Sequence, residues 1–498
     1  MAEPNLLYYG DNLDVLRRHM KDETVDLVYL DPPFNSNTSY NVLFAEHGTK
    51  SAAQIKAFED TWRWDEAAAR DYQTTVEAGG TVSAALQAFL TLLGTSDMLA
   101  YLSMMAPRLV ELRRVMKPTA TIYLHCDPTA SHYLKLLMDS VFGPQRFLNE
   151  IVWHYQTSGG APKKTLVRDH DTILRYSKGP AANITWNPPR EPWPESTLKK
   201  WQYDEEGRIY HIHNDTGTRY YVHPEGKLMD DVWGITLAAR SRERLGYPTQ
   251  KPLALLERIL RASCDAGTTV LDPFCGCGTT VAAAQNLGLR WTGIDITHLA
   301  IGLIKHRLVD AYGPKIAETY RVIGEPTDIA GAQQLAVDDP FQFQAWALGL
   351  VGARVASSDK RGGDKGIDGR LYFHDAGPGG ATKQIVFSVK AGHLVPAYLR
   401  DLRGVIEREK AEIGVLLSFE APSAGMRAEA ASAGFYASPW GSQHPRLQLL
   451  TVGQLLGGKT VDYPHLTGGN VTHRRAPRAE LTAAEQAEIS YGSDPESN

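Results

Sequence analysis

The sequence has few cysteines and no long apolar run. Its 498 residues include four cysteines, which are too few for a disulfide framework and lack the spacing of a four-ligand zinc site. No segment approaches the roughly 18 uncharged apolar residues that a membrane-spanning helix needs. The N-terminus, with Glu3 and Asp11, also lacks the pattern of a secretory signal peptide. We therefore expect a cytoplasmic protein without a membrane segment.

An excess of positive charge is absent too. The net charge of −5 argues against a protein that coats DNA regardless of sequence, because such binding depends on neutralising phosphates. It leaves room for a local basic channel. A chain of 498 residues is too long for one hydrophobic core, so two or three domains are expected.

The tetrapeptide Asp31-Pro32-Pro33-Phe34 follows the apolar run at residues 25–30. It places a carboxylate and an aromatic ring at the end of a predicted strand, which is where open α/β sheets carry their chemistry. Alone the motif is weak evidence, since proline pairs are common in loops and aspartate often begins turns. A second segment far downstream gives it weight.

That segment is a short strand at residues 270–272, a glycine-bearing turn, and a small-residue helix at 279–287 that Gly288 would end. A further strand carries Asp295, twenty-three positions after Asp272. In dinucleotide-binding folds, glycines let a ligand approach the backbone, and an acid about 20 residues later binds ribose hydroxyls. The three-glycine fingerprint for pyrophosphate is missing, so the pattern favours a ligand with a ribose and no pyrophosphate. We interpret Cys275 and Cys277 as small residues packed beneath this turn, in preference to metal ligands.

Together the two motifs resemble those of DNA amino-methyltransferases, which use S-adenosylmethionine to methylate an exocyclic base nitrogen. The catalytic motif precedes the cofactor motif, which is the circularly permuted order of the family's β group. Further matching segments lie at residues 9–13, 122–127, 149–153 and 247–252. The resemblance therefore covers most of residues 1–325.

The resemblance implies roles for particular residues. The carboxylate of Asp31 and the carbonyl of Pro32 would accept the hydrogens of the target amino group, with Pro33 completing the motif and Phe34 stacking on the flipped base. The cofactor residues implied are Asp272, Phe274, Gly276 and Gly278 on the methionine side, Asp295 at the ribose, Asp11 near the adenine, and Thr249 and Lys251 near the methionine carboxylate. For Asp11 and Thr249, the alternative of a turn or helix-capping residue stays open.

The residue before the proline pair bears on the target base. Adenine-N6 enzymes of this family usually carry Asp or Asn there, whereas cytosine-N4 enzymes usually carry Ser. Asp31 therefore favours adenine, with cytosine-N4 methylation as the alternative.

The order of predicted elements indicates a doubly wound, Rossmann-like α/β sheet over residues 1–325. Residues 45–100 are mostly helical in pattern, and Thr249 and Pro252 have the character of the cap and first turn of a helix. After Trp153 the α/β alternation breaks into sequence rich in Pro, Gly and Trp, with several basic residues. We predict a DNA-reading, target-recognition insert at about residues 155–245.

A second α/β domain is predicted at residues 335–460, followed by a disordered tail at 461–498. The second domain resembles the Mrr branch of the PD-(D/E)XK restriction-nuclease fold. Asp368 and Lys390 match its first acid and its lysine, Ser388 stands where the second acid is expected, and Asp364 is an alternative acid. Gln342 or Gln344 stands where the branch usually has a helical Glu. If this domain cuts DNA, it would require Mg²⁺ at Asp368.

Three functions follow from these interpretations. The first is a site-specific methyltransferase acting on double-stranded DNA, whose C-terminal domain is a DNA-binding or interaction module. The second is a bifunctional methyltransferase and Mg²⁺-dependent nuclease of a restriction-modification or phage-defence system. The third is a catalytically inactive DNA-binding regulator, which the intact motifs disfavour. The β-group resemblance also suggests a homodimer.

Overall fold

The computed structural model describes residues 4–33, 38–43, 54–60, 63–155, 164–213, 215–238, 240–247, 249–356, 366–376, 381–464 and 470–479, with backbone alone for 38–43 and 54–60. Within these residues, no helix is long and apolar enough to cross a membrane.

Elements of the N-terminal part alternate between strands and helices. In chain order they are β1 (Asn5–Tyr9), α1 (Asn12–His19), β2 (Val25–Leu30), β3 (Thr38–Leu43), β4 (Gln54–Asp60), α2 (Glu66–Glu77), α3 (Gly80–Leu93), α4 (Asp97–Val115), β5 (Met116–Cys126), α5 (Ser131–Phe142) and β6 (Phe147–His154).

Short strands dominate the next part. They are β7 (His170–Ser177), β8 (Arg190–Glu191), α6 (Glu195–Leu198), β9 (Gln202–Tyr203), β10 (Ile209–Ile212), β11 (Arg219–Tyr221), β12 (Lys227–Leu228) and β13 (Val232–Gly234). The alternation then resumes with α7 (Leu253–Ser263), β14 (Thr269–Asp272), α8 (Thr279–Asn286), β15 (Arg290–Asp295), α9 (His298–Tyr312) and β16 (Tyr320–Ile323).

The C-terminal part begins with two helices. Its elements are α10 (Ile329–Asp338), α11 (Pro340–Leu350), β17 (Arg354–Val355), β18 (Gly369–Phe373), β19 (Lys383–Lys390), α12 (Pro396–Glu409), β20 (Ile413–Ser418), α13 (Ala424–Ala431), β21 (Phe435–Ala437), β22 (Gln443–Pro445), β23 (Leu447–Thr451) and α14 (Val452–Leu456).

Nine strands form the main sheet, in the order β13-β6-β7-β5-β2-β14-β15-β1-β16. Only β7 runs against its neighbours β5 and β6. Apolar side chains of α1, α3, α4 and α5 pack on one face, and those of α7, α8 and α9 pack on the other. The predicted α/β class with helices on both faces is confirmed.

The sheet joins two segments that are far apart in sequence. β2 pairs in parallel with β14, with Leu27 opposite Val270 and Val28 opposite Leu271. Both strands are buried along most of their length, as expected for strands covered by helices on both sides. Their carboxyl ends meet at one edge, so the predicted catalytic motif and the glycine turn begin side by side.

Several boundaries differ from the sequence predictions. Residues 54–60, predicted helical, form β4, which pairs with β3 in a hairpin. β7 and β13 lie in the main sheet although both fall within the predicted insert at 155–245. The residues between them form small separate sheets, β11-β10-β9 and β12-β8. The sequence of this stretch, rich in Pro, Gly and Trp, gives no sign that β7 and β13 belong to the main sheet.

The C-terminal strands form a five-stranded sheet in the order β17-β18-β19-β20-β23. β17, β18 and β19 are antiparallel, whereas β20 and β23 continue in parallel from β19. Helix α12 packs on one face. This is the second α/β unit that the sequence predicts, while its relation to restriction nucleases stays a prediction.

The two sheets share a hydrophobic core. Tyr247, Cys277 and Leu303 from the N-terminal part pack in one cluster with Phe343 and Trp346 of α11. The helices α10 and α11 follow each other directly, with Asp339 between them capping α11. The connection between the two parts therefore consists of the helices α10 and α11, which pack in this shared core.

The chain after residue 460 differs from the predicted disordered tail. Val461 and Tyr463 are buried, and the amide of Val471 donates to the carbonyl of Tyr372 at 2.8 Å. Further along, the amide of Ala479 donates to the carbonyl of Ala311 in α9 at 3.1 Å. Residues 470–479 thus run from the second sheet back to helix α9, which packs on the main sheet. These backbone contacts could not be predicted, because the stretch is polar and basic in composition. Residues 480–498 lie outside the described part of the chain.

Candidate active site

The predicted catalytic motif directly follows β2. Asp31 is the first residue after the strand and is largely buried, with its carboxylate facing inward. Its Oδ2 lies 2.7 Å from Nζ of Lys251. Phe34, the predicted stacking ring, lies outside the described residues.

The glycine turn follows β14. Asp272 ends this strand, and its Oδ1 accepts a hydrogen bond from the amide of Phe274 at 3.0 Å. Gly278 has φ +72° and ψ 39°, a left-handed conformation that non-glycine residues rarely adopt. A Cβ added there would lie 2.6 Å from Cγ1 of Ile304, so the turn needs glycine for space as well as for conformation. The small-residue helix α8 begins immediately after it.

Asp295, at the end of β15, holds the turn from the neighbouring strand. Its Oδ2 accepts from the amide of Gly276 at 2.9 Å, and its Oδ1 accepts from the amide and the hydroxyl of Thr297 at 2.9 and 2.8 Å. The predicted ribose-binding acid is therefore also a structural support of the loop. The spacing of twenty-three residues reflects two strands that are neighbours in the sheet.

A cavity of about 300 Å³ lies where these loops meet. The predicted site residues on its wall are Asp11, Asp31, Pro32, Pro33, Thr249, Lys251, Asp272, Phe274, Gly276 and Asp295. Gly278 is not on this wall, because it packs against Ile304. The structure thus brings the two predicted halves of the site into one cavity.

Asp11 has a structural role in addition to its place on the wall. It is the N-cap of α1, where its Oδ1 accepts from the amides of Leu13 and Asp14. Its Oδ2 lies 2.6 Å from Nη2 of Arg108. The capping interpretation is therefore confirmed for Asp11, and Arg108 on α4 is a wall residue that sequence reasoning missed.

Thr249 and Lys251 both lie on the cavity wall, and their predicted roles at the cofactor stay predictions. Helix α7 begins at Leu253 with Pro252 at the N-cap, so Thr249 does not cap it. A proline at residue 252 fits that start, because its fixed φ of −61° is compatible with the residue before the first turn. Lys251 also contacts the Asp31 carboxylate, which the sequence did not predict.

A buried polar network behind Asp31 was not assigned from the sequence. His125, fully buried near the end of β5, has Nδ1 3.0 Å from the hydroxyl of Tyr29 and Nε2 3.0 Å from Oδ2 of Asp171. Tyr155 donates its hydroxyl to the other oxygen of Asp171 at 3.1 Å. The one sequence feature that pointed to this network was a histidine within the apolar segment at residues 122–127. That segment belongs to β5, the strand that pairs with β2.

Burial sets the protonation of the cavity's acids. It raises the pKa of Asp272 to about 7, against opposing hydrogen bonds from Thr280 and the amide of Phe274. It likewise raises the pKa of Asp295 to about 6. The nearby carboxylates of Asp31 and Asp295 add to the shift at Asp272. A positively charged ligand in this cavity would relieve that accumulation of negative charge.

The two cysteines of the glycine turn are buried beneath it, as the sequence suggested. Burial raises the pKa of both Cys275 and Cys277, which keeps the thiols protonated. Across the described residues, no group of three or more His, Cys, Asp or Glu side chains could hold a metal ion.

In the C-terminal sheet, Asp368 and Lys390 do come together. Nζ of Lys390 lies 3.7 Å from Oδ2 of Asp368, which also accepts from the amide of Val389 at 2.6 Å. Gln344 donates to the carbonyl of Asp368 at 3.1 Å. Gln342 instead accepts from the amide of His298 in α9, which removes it from this site. Asp364 lies outside the described residues.

Comparison with known proteins places the chain in a family. Residues 25–306 match the model of the N6/N4 methyltransferase family, described as DNA methylase. The chain is 26% identical over 364 residues to the type II methyltransferase M.EcaI of Enterobacter cloacae, covering 62% of this chain and 71% of that protein. It is 25% identical over 347 residues to the Mod subunit of the type III enzyme StyLTI of Salmonella typhimurium, covering 57% of this chain and 50% of that protein. Over 304 residues it is 24% identical to the DNA adenine methyltransferase YhdJ of Escherichia coli, covering 60% of this chain and 82% of that protein.

Solved structures show weaker likeness. TTHA0409, a putative DNA modification methylase from Thermus thermophilus solved with S-adenosyl-L-methionine, has 20% identity and a TM-score of 0.36, covering 65% of this chain and 99% of that chain. The cytosine-N4-specific PvuII DNA methyltransferase has 13% identity and a TM-score of 0.36, covering 61% of this chain and 86% of that chain. The family match itself spans more than half of the sequence. The chain therefore belongs to the N6/N4 DNA methyltransferase family.

Proposed function

We propose that this DNA methyltransferase transfers a methyl group from S-adenosylmethionine to the exocyclic N6 of an adenine flipped out of double-stranded DNA. The observation that carries the proposal is the pairing of β2 with β14, which sets Asp31 and the glycine turn on the wall of one cavity. A methyl donor and a methyl acceptor have to meet within a few ångströms. Holding the two in line is worth about 7–11 kcal/mol of a reaction barrier.

The cavity's residues suit the proposed cofactor. When bound, S-adenosylmethionine supplies a methyl group on a positively charged sulfur. Asp272 would face that positive charge, whereas Asp295 would bind the ribose hydroxyls. Gly276, with φ +49°, leaves the backbone bare on the cavity side. The raised pKa values of the two acids support a cationic ligand, because its charge would favour their ionised forms.

Asp31 and Pro32 would bind the target amino group. That nitrogen is a poor nucleophile because its lone pair is delocalised into the ring, so hydrogen bonds from its hydrogens to the Asp31 carboxylate and the Pro32 carbonyl would draw it toward tetrahedral geometry. Hydrogen bonds to charged groups are worth about 1.5–3 kcal/mol. Flipping a base costs a few kcal/mol, which such bonds, together with stacking by Phe34, would offset locally.

The test is methyl transfer by the purified protein to DNA from methyl-labelled S-adenosylmethionine. Asp31→Ala, which removes the side-chain oxygen that would accept the amino hydrogen, should lower the rate at least about 100-fold, corresponding to about 2.7 kcal/mol. Asp401→Ala, an exposed change on α12, is the matched control and should leave the rate unchanged. Full activity of Asp31→Ala would contradict the proposal.

The choice of adenine rests on the resemblance of Asp31-Pro32-Pro33-Phe34 to adenine-specific motifs. Among the relatives, YhdJ is named an adenine methyltransferase. Mass spectrometry of nucleosides from methylated DNA would decide the base. N6-methyladenine is expected, and N4-methylcytosine as the sole product would establish the alternative.

The small sheets between β7 and β13 would read the DNA. They carry a row of ring contacts in which His211 stacks on Trp201 at 5.5 Å and on Tyr220 at 5.7 Å between ring centroids. Tyr220 and Tyr203 are more than half exposed. Residues 178–235 hold nine acidic and seven basic side chains, so phosphate contacts should come from the flanking cations such as Lys164, Arg168, Arg240 and Arg242. Tyr220→Ala should weaken DNA binding and leave cofactor affinity intact.

We also propose that the protein acts in a restriction-modification or phage-defence system; one relative is named as the Mod subunit of a type III restriction-modification enzyme. A cytoplasmic location and a homodimer are parts of the same proposal. Analytical ultracentrifugation with and without DNA would test the dimer.

A second candidate activity, DNA cleavage, is favoured by the approach of Lys390 to Asp368. The described residues around Asp368 do not complete an acidic ion site, since Ser388 occupies the position of the second acid. Incubation with plasmid and Mg²⁺ would test cleavage: cutting that is lost in Asp368→Ala would establish the bifunctional enzyme, and methylation without cutting would leave the methyltransferase alone.

A further inference from the structure

Behind Asp31 lies a row of groups suited to carry a proton. His125 is fully buried, with its Nδ1 3.6 Å from Oδ1 of Asp31 and its Nε2 3.0 Å from Oδ2 of Asp171. Asp31 faces the cavity, whereas His125 is not on the cavity wall. The imidazole therefore lies between two carboxylates, only one of which can reach a substrate.

The hydrogen bonds around the ring fix where its proton lies. Asp171 accepts a hydrogen bond from the Tyr155 hydroxyl as well as from the ring. Although burial alone would raise the pKa of Asp171, the hydrogen bond and charge of His125 and the nearby charge of Lys251 lower it. An ionised Asp171 can only accept, so Nε2 carries the hydrogen. The lone pair of Nδ1 then points toward Tyr29 and Asp31.

The ring is also held in orientation. The indole of Trp153 packs edge-on against it, with centroids 5.3 Å apart and planes at 83°. The hydroxyl of Tyr29 lies 3.0 Å from Nδ1 and can donate to it. Burial and the neighbouring acids raise the pKa of Tyr29 well above its ordinary value, so the hydroxyl stays protonated. These contacts hold Nδ1 on the side of the ring that faces the Asp31 carboxylate.

Methylation of an amino group has to release a proton. The nitrogen lone pair forms the new N–CH₃ bond while the S–CH₃ bond breaks, and its electron pair stays on the sulfur, which becomes a neutral thioether. The nitrogen then carries a positive charge until one of its N–H bonds is broken. Asp31 would be hydrogen-bonded to that N–H, but it is already paired with Lys251 at its other oxygen.

We propose that His125 accepts this proton through Asp31, and that Asp171 stabilises the resulting imidazolium. The inference rests on the proposed function and adds a proton path to it. In the step, the proton moves from the nitrogen to Oδ1 of Asp31 and on to Nδ1 of His125, and Tyr29 turns its O–H away from Nδ1. The 3.6 Å between Asp31 and His125 has to shorten by roughly 0.6 Å to reach hydrogen-bond length. His125 acts through Asp31 and is a positioning residue.

Several charged or titratable groups surround the ring, and each would influence its protonation. They are Tyr29 and Asp31 from β2 and the loop after it, Asp171 from β7, Tyr155 after β6, and Lys251 before α7. The two carboxylates favour an imidazolium, whereas Lys251 opposes it. Removing the negative charge of Asp171 should therefore make the ring harder to protonate.

The experiment measures the single-turnover rate of methyl transfer against pH for the wild type, His125→Asn and Asp171→Asn. The wild-type rate should rise with pH, because in the proposed step the ring can accept a proton only while Nδ1 carries none. His125→Asn should lose that rise and fall about 100-fold in rate, with the KM for DNA and for cofactor changed less than about threefold. Asp171→Asn should shift the rise to lower pH and lower its plateau. A merely structural role would not move the pH dependence.

His444→Asn is the matched control, since His444 is likewise buried and paired with an aspartate, Asp462, but lies in the C-terminal part. It should keep the wild-type rate and pH profile. If His125→Asn fails to fold, as judged by circular dichroism, the shift in Asp171→Asn decides the matter. A wild-type pH profile in His125→Asn, or an unshifted one in Asp171→Asn, would overturn the proton path while methylation by the wild type stands. Absence of methylation by the wild type would overturn the proposed function itself.

Discussion

Replacement of Gly278 by alanine should damage the protein in two ways at once. Its φ of +72° and ψ of 39° are left-handed, and an added Cβ would lie 2.6 Å from Cγ1 of Ile304. Ile304 is itself buried in the core between α9 and the sheet, so it has little room to withdraw. The backbone and the packing therefore both oppose the new methyl group.

The two costs can be estimated separately. A non-glycine residue in the left-handed region costs roughly 1–2 kcal/mol. Adding a carbon to a well-packed core costs about 1–3 kcal/mol. Gly278→Ala should thus lower the free energy of unfolding by about 2–5 kcal/mol in total. Gly288→Ala is the matched control, because Gly288 has φ +63° but nothing within 4 Å of the added carbon. It should cost only the backbone part.

Urea denaturation, monitored by tryptophan fluorescence, would measure the free energy of unfolding of both variants. Trp291, buried on β15 two residues before Gly293, reports on the sheet next to the glycine turn. We expect Gly278→Ala to be less stable than Gly288→Ala by at least about 1 kcal/mol. Equal stabilities would refute the claim that Ile304 closes the space beneath the turn.

Three further predictions concern the cavity. Folded Asp272 keeps its proton up to about pH 7, whereas the unfolded chain releases it near pH 3.8, so the free energy of unfolding should fall as pH rises from about 4 to about 7. Asp272→Asn should flatten that fall in denaturation curves of the ligand-free protein. Lys251→Gln, which leaves the Asp31 carboxylate without this cation, should slow methyl transfer at least about tenfold, while Lys251→Arg should retain more of the rate. Equal rates for the wild type and Lys251→Gln would show that the ion pair does not contribute to methyl transfer. Arg108→Gln, which breaks the 2.6 Å contact with Asp11, should weaken cofactor binding in calorimetry more than it lowers kcat, and unchanged affinity would contradict this.

Much of the fold, and the acids at the ends of three strands in the candidate site, could be predicted from the sequence. Apolar runs ending in Asp31, Asp272 and Asp295 predicted strands with acids at their carboxyl ends, and the structure places all three acids on one cavity wall. That success has a simple cause. Parallel strands direct their carboxyl ends to one edge, so residues at these ends meet whatever their distance in the chain.

Other features could not be predicted because they depend on contacts between distant segments. Lys251 pairs with Asp31 across 220 positions of sequence, and no local pattern marks that contact. His125 gave only the weak signal of a histidine within an apolar strand, and its partner Asp171 lies on a strand hidden in irregular sequence. Thr249 looked like a helix cap, but the helix begins four residues later.

The shared core beneath the glycine turn limits how this protein can be divided. Tyr247 and Cys277 line the cavity and also pack against α11 of the C-terminal part, and residues 470–479 bond back to α9. A fragment ending at residue 325 would leave the underside of the glycine turn open to water and would remove the segment that covers the outer face of α9. Expression of the methyltransferase sequence alone should therefore yield an aggregation-prone product. A substitution in α11 would change the packing of Tyr247 and Cys277, the two cavity-wall residues that share its core.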